Sequence, residues 1–359
     1  MPYLLNVFYA LGFLLISPWI IYKACTTGKY RRGVWHKLTG QAFLRRSSKP
    51  CAWFHGVSVG EIHLLQQVVA GFRRRHPGWE CLLSTTTDTG LEEARRRFPD
   101  LPVCYWPLDF SWAVHRALRQ INPSVILLAE GELWPNFLLA AAHRGVPVMV
   151  INGRMSPRSY GHYRRLSWLT RPLFARLGHV AAQTEDYAGR YVALGVPAER
   201  VHVTGSVKYD GVKGNRHNPR TAELRRLLAV GAGQLIWIAG STQEPEEQIV
   251  LDIYRRLKGQ HPELRLFLVP RQRERFEPVA TLLARSGLPW ARRSALTGPV
   301  PDASAVVLMD TIGELGALWG LADIAFVGGS LDGKRGGQNM IEPAGYGAAV
   351  VFGLHVWNF

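Results

Sequence analysis

Short apolar runs rich in Val, Ile and Leu alternate with longer amphipathic stretches along most of this chain. The run "CAWFHGV" predicts a strand, followed by a helix from about Glu61 to Arg75 with Ile62, Leu65, Val69 and Phe72 on one face. "CLLSTTT", "VCYWP", "VILLAEG", "VMVING", "HVAAQT" and "VHVTG" predict further strands, with helices at "LEEARRRF", "WAVHRALRQI" and "NFLLAAAHRG" between them. Such short, nearly all-apolar runs are what parallel strands covered on both faces require. The rhythm pauses from Asp210 to Arg220, in the polar linker-like stretch "DGVKGNRHNPR". It restarts with "LIWIAGS", "EEQIVLDIYRRLKG", "LRLFLVPR", "FEPVATLLARSG", "AVVLMD", "IAFVGGS" and "AAVVFG". Two runs of one pattern imply an α/β fold of two doubly wound parallel-sheet domains.

The first residues break the pattern. From Tyr3 to Tyr22 no side chain is charged, and Lys23, Lys29, Arg31 and Arg32 follow at once. That length predicts a hydrophobic anchor helix, and the basic flank places the body of the protein on the cytoplasmic side. Pro18 and Asn6 leave open a helix that lies in the interface. The expected organisation is therefore an anchor over residues 1–25, a first domain over 26–210 and a second over 211–359.

The chain has 359 residues and a formal charge of +16, from 43 Lys and Arg against 27 Asp and Glu. The excess favours an anionic partner. No basic block is interleaved with aromatics, which argues against nucleic acid and for an acidic membrane surface or a phosphorylated substrate. The four cysteines, Cys25, Cys51, Cys81 and Cys104, show neither metal-ligand spacing nor a disulfide framework. No metal and no bound cofactor is expected.

In open parallel sheets, ligands sit outside the carboxyl ends of the strands. The first-domain loops there carry Glu61 in "VSVGE" and the pair Glu130 and Glu132 in "AEGELWPN". A single acidic residue at a helix start is explained by the helix dipole, worth about 0.5 kcal/mol. Two such loops at one sheet edge point to a site where a carboxylate takes a proton from a hydroxyl. In the second domain, the glycine pairs Gly328-Gly329 and Gly336-Gly337 would let backbone N–H groups approach an anion. Ser241 and Thr242 precede a helix whose N-terminus suits a phosphate, with Arg271 and Lys208 as countercharges. Asn339 and Glu342 follow, the carboxylate set to accept from ribose hydroxyls. These features outline a glycosyltransferase with a nucleotide-sugar donor and a lipid acceptor.

The motifs "VSVGE", "PLDFSWAVHRAL", "EGELWPN", "NGRMSPRS", "TGSVKYD", "AGSTQEPEE", "LVPRQRERF", "DTIGELG", "AFVGGSL", "GGQNMIEPA" and "WNF" closely resemble the 3-deoxy-D-manno-octulosonic acid (Kdo) transferases of lipopolysaccharide synthesis, over essentially the whole chain. The resemblance implies a GT-B architecture, two Rossmann-like domains facing a cleft, without a catalytic metal. It implies inverting transfer of Kdo from CMP-Kdo to the primary hydroxyl of the distal glucosamine of a lipid A precursor. By that resemblance Glu61 is the general base and Glu130 a second essential carboxylate, with Ser58 and Gly60 among the substrate- or donor-binding residues. Lys208 and Arg271 would hold the donor's phosphate or sugar carboxylate. Ser241, Thr242, Gly328, Gly329 and Ser330 would line the donor site. The CMP would lie on Gly336, Gly337, Gln338, Asn339 and Glu342, with Asn358 of the terminal "WNF" among the donor-binding residues.

The chain departs from the family pattern at Gln243, Gln272 and Gln338, where histidine is usual, and at "EGE" in place of "ETE". Glutamine keeps a neutral hydrogen bond and carries no charge. The chain stops at "WNF" where the family continues, so the second domain is expected to be truncated at its end. The alternatives are a GT-B transferase using another nucleotide sugar on a lipid, and a non-catalytic relative.

Overall fold

The computed structural model describes residues 2–27, 32–210 and 214–357. The chain divides into two compact units, Met1–Asp210 and Gly211–Phe359.

The first unit is built on a seven-stranded sheet. Its strands are β1 (Cys51–His55), β2 (Glu80–Thr85), β3 (Val103–Tyr105), β4 (Val125–Ala129), β5 (Val148–Gly153), β6 (His179–Ala182) and β7 (Val201–Val203), in the spatial order β3-β2-β1-β4-β5-β6-β7. Every neighbouring pair is parallel. All five residues of β1 are buried, because helices cover both faces. The helix Val59–Arg75 buries Ile62, Leu65 and Val69 on one side, while Trp53 packs against Trp106 and Phe137 on the other. The chain winds outward in opposite directions from β1 and β4. The loops after these two strands therefore diverge and leave a crevice at the carboxyl edge.

The second unit holds a six-stranded parallel sheet. Its strands are β8 (Leu235–Thr242), β9 (Leu264–Pro270), β10 (Trp290–Arg292), β11 (Val306–Leu308), β12 (Ile324–Val327) and β13 (Ala349–Val351), in the order β10-β11-β9-β8-β12-β13. Here the winding reverses between β8 and β12. Two apolar clusters cover the two faces, one around Phe267, Trp319 and Leu318, the other around Leu266, Tyr254 and Leu283.

Three expectations change. A helix does occupy Pro2–Thr27, but among the described residues no helix is long and apolar enough to cross a membrane. The expected spanning anchor is thus not found. The helix is instead tied to the first unit by polar side chains: Asn6 Nδ2 donates to Ser111 Oγ at 2.7 Å, and Tyr9 donates to Asp109 at 2.9 Å. The linker expected up to Arg220 ends sooner, because Asn218 caps a helix over Pro219–Leu227 by accepting from Thr221 N at 2.9 Å. Arg216 within it donates to the carbonyls of Tyr346 and Ala322, which fastens that stretch to the second unit. Strand β10 was not anticipated: "WAR" is a half-buried edge strand without an apolar run.

Candidate functional site

Glu61 follows β1 on the first turn of helix Val59–Arg75. Ser58 is the N-cap, its hydroxyl oxygen accepting from Glu61 N at 3.3 Å. The carboxylate returns the contact, accepting from Ser58 Oγ at 3.0 Å and from Val57 N at 2.8 Å. This is a variant of the reciprocal capping box, and it freezes the carboxylate's position at the mouth of the loop. Gly60 lies exposed within that first turn. Burial pushes the Glu61 carboxyl above the usual glutamate range, against the pull of its two hydrogen bonds, and the charges of Glu130 and Glu132 push it further. The strand order thus brings three carboxylates from two loops together at the β1/β4 crevice.

Glu130 sits directly after β4 with left-handed backbone, φ 62°. Asn152, at the end of β5, is left-handed as well, φ 55°, and its Nδ2 donates to Glu130 Oε1 at 3.3 Å. Non-glycine residues in this region are uncommon and concentrate at functional sites. Glu132 is exposed, and its Oε2 accepts from Trp134 Nε1 at 3.4 Å. Lys208 belongs to the first unit, on a short 3-10 turn over Val207–Tyr209 that packs against helix Val59–Arg75. Beneath the loop, His55 is buried and stacked on Trp106 at 3.9 Å. Its Nδ1 faces the Ser84 carbonyl at 3.1 Å, which can only accept, so Nδ1 carries the proton. Burial lowers its pKa to about 3, so the ring stays neutral and puts no positive charge near Glu61.

In the second unit the expected donor residues gather at the carboxyl edge around the β8/β12 reversal. Ser241 is left-handed, φ 55°, and Thr242 is fully buried with its hydroxyl unpartnered. Arg271, exposed after β9, is fastened by its N–H to the Thr242 carbonyl at 3.0 Å. Arg271 lies near enough to Glu342 to favour that carboxylate's charge, although burial is the larger influence and raises the Glu342 pKa. Asn339 joins them, donating to Glu342 Oε1 at 3.0 Å.

The glycine-rich turn holds a surprise. Its amides already have an anion, the carboxylate of Glu246, which opens helix Glu246–Lys258 and is 1% exposed. Glu246 accepts from Gly329 N at 2.9 Å, Ser330 N at 3.1 Å, Leu331 N at 3.4 Å and Gln243 N at 3.0 Å. A Cβ on Gly328 would fall 2.6 Å from Glu246 Oε2 and 2.5 Å from the Ser241 carbonyl, which explains the glycine. In this structure the amides of Gly329 and Ser330, expected to face the donor's anion, donate to Glu246. Gly336 and Gly337 are both left-handed, and Gly337 N donates back to Gly329 O at 2.8 Å. The side chains of Gln243 and Gln338 both end beside Gly329. Asn358 lies outside the described residues.

Three residues escaped the sequence reading. Asn152 stands in "NGRMSPRS", Glu246 in "STQEPEE", and Asp109, which accepts from Asn136 N and Phe137 N, in "PLDFSW". Their motifs were visible, but only the fold shows their partners. Among the described residues no group of three or more His, Cys, Asp or Glu is arranged to hold a metal ion.

The family model for 3-deoxy-D-manno-octulosonic-acid transferases (kdotransferases) matches residues 30–211. The 3-deoxy-D-manno-octulosonic acid transferase of Haemophilus influenzae is 35% identical over 309 residues, 86% of this chain and 71% of that protein. That of Chlamydophila psittaci is 31% identical over 359 residues, 99% of this chain and 81% of its own. The chain belongs to the Kdo transferase family. Among solved structures, a Rickettsia africae glycosyltransferase aligns with a TM-score of 0.54 at 10% identity, over 85% of this chain and 79% of that one. A putative UDP-N-acetylglucosamine 2-epimerase from Listeria monocytogenes reaches 0.53 at 12% identity, over 84% and 78%. Both show only that the Kdo transferase family member shares their two-domain α/β fold. The C-terminal CMP-Kdo binding domain of WaaA from Acinetobacter baumannii is 32% identical, over 38% of this chain and 70% of that domain, with a TM-score of 0.36.

Proposed function

We propose that this protein transfers Kdo from CMP-Kdo to the primary hydroxyl of the distal glucosamine of a lipid A precursor, with inversion. Membership of the Kdo transferase family supports the reaction class. The observation that carries the mechanism is Glu61, a half-buried carboxylate fixed by a capping box at the β1/β4 crevice and made more basic by its surroundings. In this reading Glu61 takes the acceptor's hydroxyl proton as the new bond forms at the anomeric carbon. The bond from that carbon to the phosphate oxygen breaks with its electron pair, and CMP departs. A base with a raised pKa holds the proton better than an ordinary glutamate would.

Glu130 serves as the second required carboxylate. Arg271 and Lys208 offset the charge of the leaving phosphate or hold the sugar's carboxylate, the electrostatic work usually worth most in such sites. Because Glu246 fills the glycine turn, donor contacts in the second unit fall to Arg271, Asn339 and Glu342 rather than to the amides of Gly329 and Ser330. The GT-B arrangement of acceptor-binding and donor-binding halves, and chemistry without a metal, are part of this proposal.

The acceptor is a lipid, so the protein works at the cytoplasmic face of the inner membrane. Helix Pro2–Thr27 supports a membrane location, since Leu4, Phe8, Leu11, Leu15 and Trp19 are all exposed on it. The net charge of +16 suits anionic lipid.

The deciding experiment incubates the protein with CMP-Kdo and a tetra-acylated lipid A precursor and follows CMP release and product mass. A mass increase equal to added Kdo is expected. Turnover only with a UDP-sugar would replace the donor, and donor binding without any product would identify a non-catalytic relative.

A further inference from the structure

Asn152 is wholly buried, and its side chain makes two different contacts. Nδ2 donates to Glu130 Oε1 at 3.3 Å, while Oδ1 accepts from Val207 N at 3.1 Å. Its own carbonyl is held by Gln183 Nε2 at 3.0 Å, and Glu130 N donates to the adjoining Ile151 carbonyl at 3.0 Å. The amide, with a donor on one arm and an acceptor on the other, satisfies a carboxylate and a backbone N–H at once. One side chain therefore spans the loop that carries Glu130 and the turn that carries Lys208, groups 78 residues apart by number (208 − 130). Asn152 and Glu130 both adopt left-handed backbone at the ends of paired strands, an uncommon conformation kept at both positions. A purely structural filler at the end of β5 would need neither the contact to the carboxylate nor this backbone.

We infer that Asn152 is a positioning residue for the transfer reaction: it sets the Glu130 carboxylate and the Lys208 turn in one fixed relation. The inference rests on the reading of Glu130 as a required carboxylate. Asn152 touches no reacting atom itself; it acts through Glu130.

A double-mutant cycle on the full chain tests this, with N152D, E130Q and N152D/E130Q compared in kcat, in KM for CMP-Kdo and for acceptor, and in melting temperature. Aspartate tolerates the left-handed backbone and still accepts from Val207 N, but presents a like charge to Glu130 in place of a donor. N152D is expected to lower kcat about tenfold or more, as small misplacements of a reacting group do. In the E130Q background the same substitution is expected to cost less than about twofold, because the route it acts through is already gone. Fully additive losses would overturn the inference while leaving the Glu130 reading intact. Wild-type kcat in E130Q alone would overturn both. Should N152D fail to fold, N152G keeps the left-handed backbone without strain and removes the side chain, and the same cycle applies.

Discussion

The phenol of Tyr9 donates to Asp109 Oδ2 at 2.9 Å, although the two residues stand 100 positions apart. The same carboxylate starts helix Pro135–His143 by accepting from Asn136 N at 2.9 Å and Phe137 N at 2.8 Å. It thereby joins the N-terminal helix to the loop that carries Glu130 and Glu132. Burial pushes the Asp109 carboxyl up to about 6, against the pull of those hydrogen bonds. The folded state thus holds this proton more tightly than the unfolded chain. Its contribution to stability is full below the ordinary aspartate range near pH 4 and is lost as pH rises to about 6, a loss on the order of 3 kcal/mol. D109N should flatten that part of the stability curve. Melting temperatures of the two proteins between pH 4 and 7 check this, and equal slopes would contradict it.

Replacing Glu61 with Gln removes the proposed base while keeping the side chain's shape. Turnover should fall on the order of 10²- to 10⁴-fold, with CMP-Kdo affinity nearly unchanged. Rapid-mix product formation and equilibrium donor binding, measured on the same preparation, separate the two. Retained turnover would remove Glu61 from the mechanism.

Glu132 raises the Glu61 pKa through like charge. E132Q should therefore lower it. Since the base acts deprotonated, the acidic limb of the kcat/KM profile should move to lower pH, and activity at mildly acidic pH should rise relative to the optimum. A limb that moves up or stays in place would show that Glu132 does not act on Glu61.

Glu246 is buried with four backbone N–H groups donating to it. E246A would leave those donors unpaired, at about 1–3 kcal/mol for each one that finds no water. A clear drop in melting temperature and weakened CMP binding are expected, with E246Q intermediate because it retains one acceptor oxygen. G328A should weaken the same turn through the clash with Ser241 O and Glu246 Oε2. If E246A melts like the wild type, the turn is held by something other than this carboxylate.

Much of this was written in short-range pattern. Ser58 and Glu61, three residues apart, form the capping pair that their spacing announces. The all-apolar runs at 51–55 and 125–129 became buried parallel strands for the reason their composition gives, since helices cover both faces. The N-terminal run did form a helix, but hydropathy alone missed that Asn6 and Tyr9 spend their polar groups on Ser111 and Asp109. The glycine turn was legible only as a place where backbone amides could approach an anion, and the sequence pointed to the donor's. That the anion is Glu246, more than eighty residues earlier, was not.

What the sequence determined by itself was most of the succession of elements, with β10 the exception, the residues at most strands' carboxyl ends, and the family. Those follow from propensity, period and capping, which act over about one turn or one strand. The tertiary structure alone decided which ends are neighbours. The order β3-β2-β1-β4-β5 sets Glu61 beside Glu130, and Asn152 beside both Glu130 and the Lys208 turn. Strand order is chosen by the burial of both sheet faces at once, a property of the whole packed unit that no local window contains.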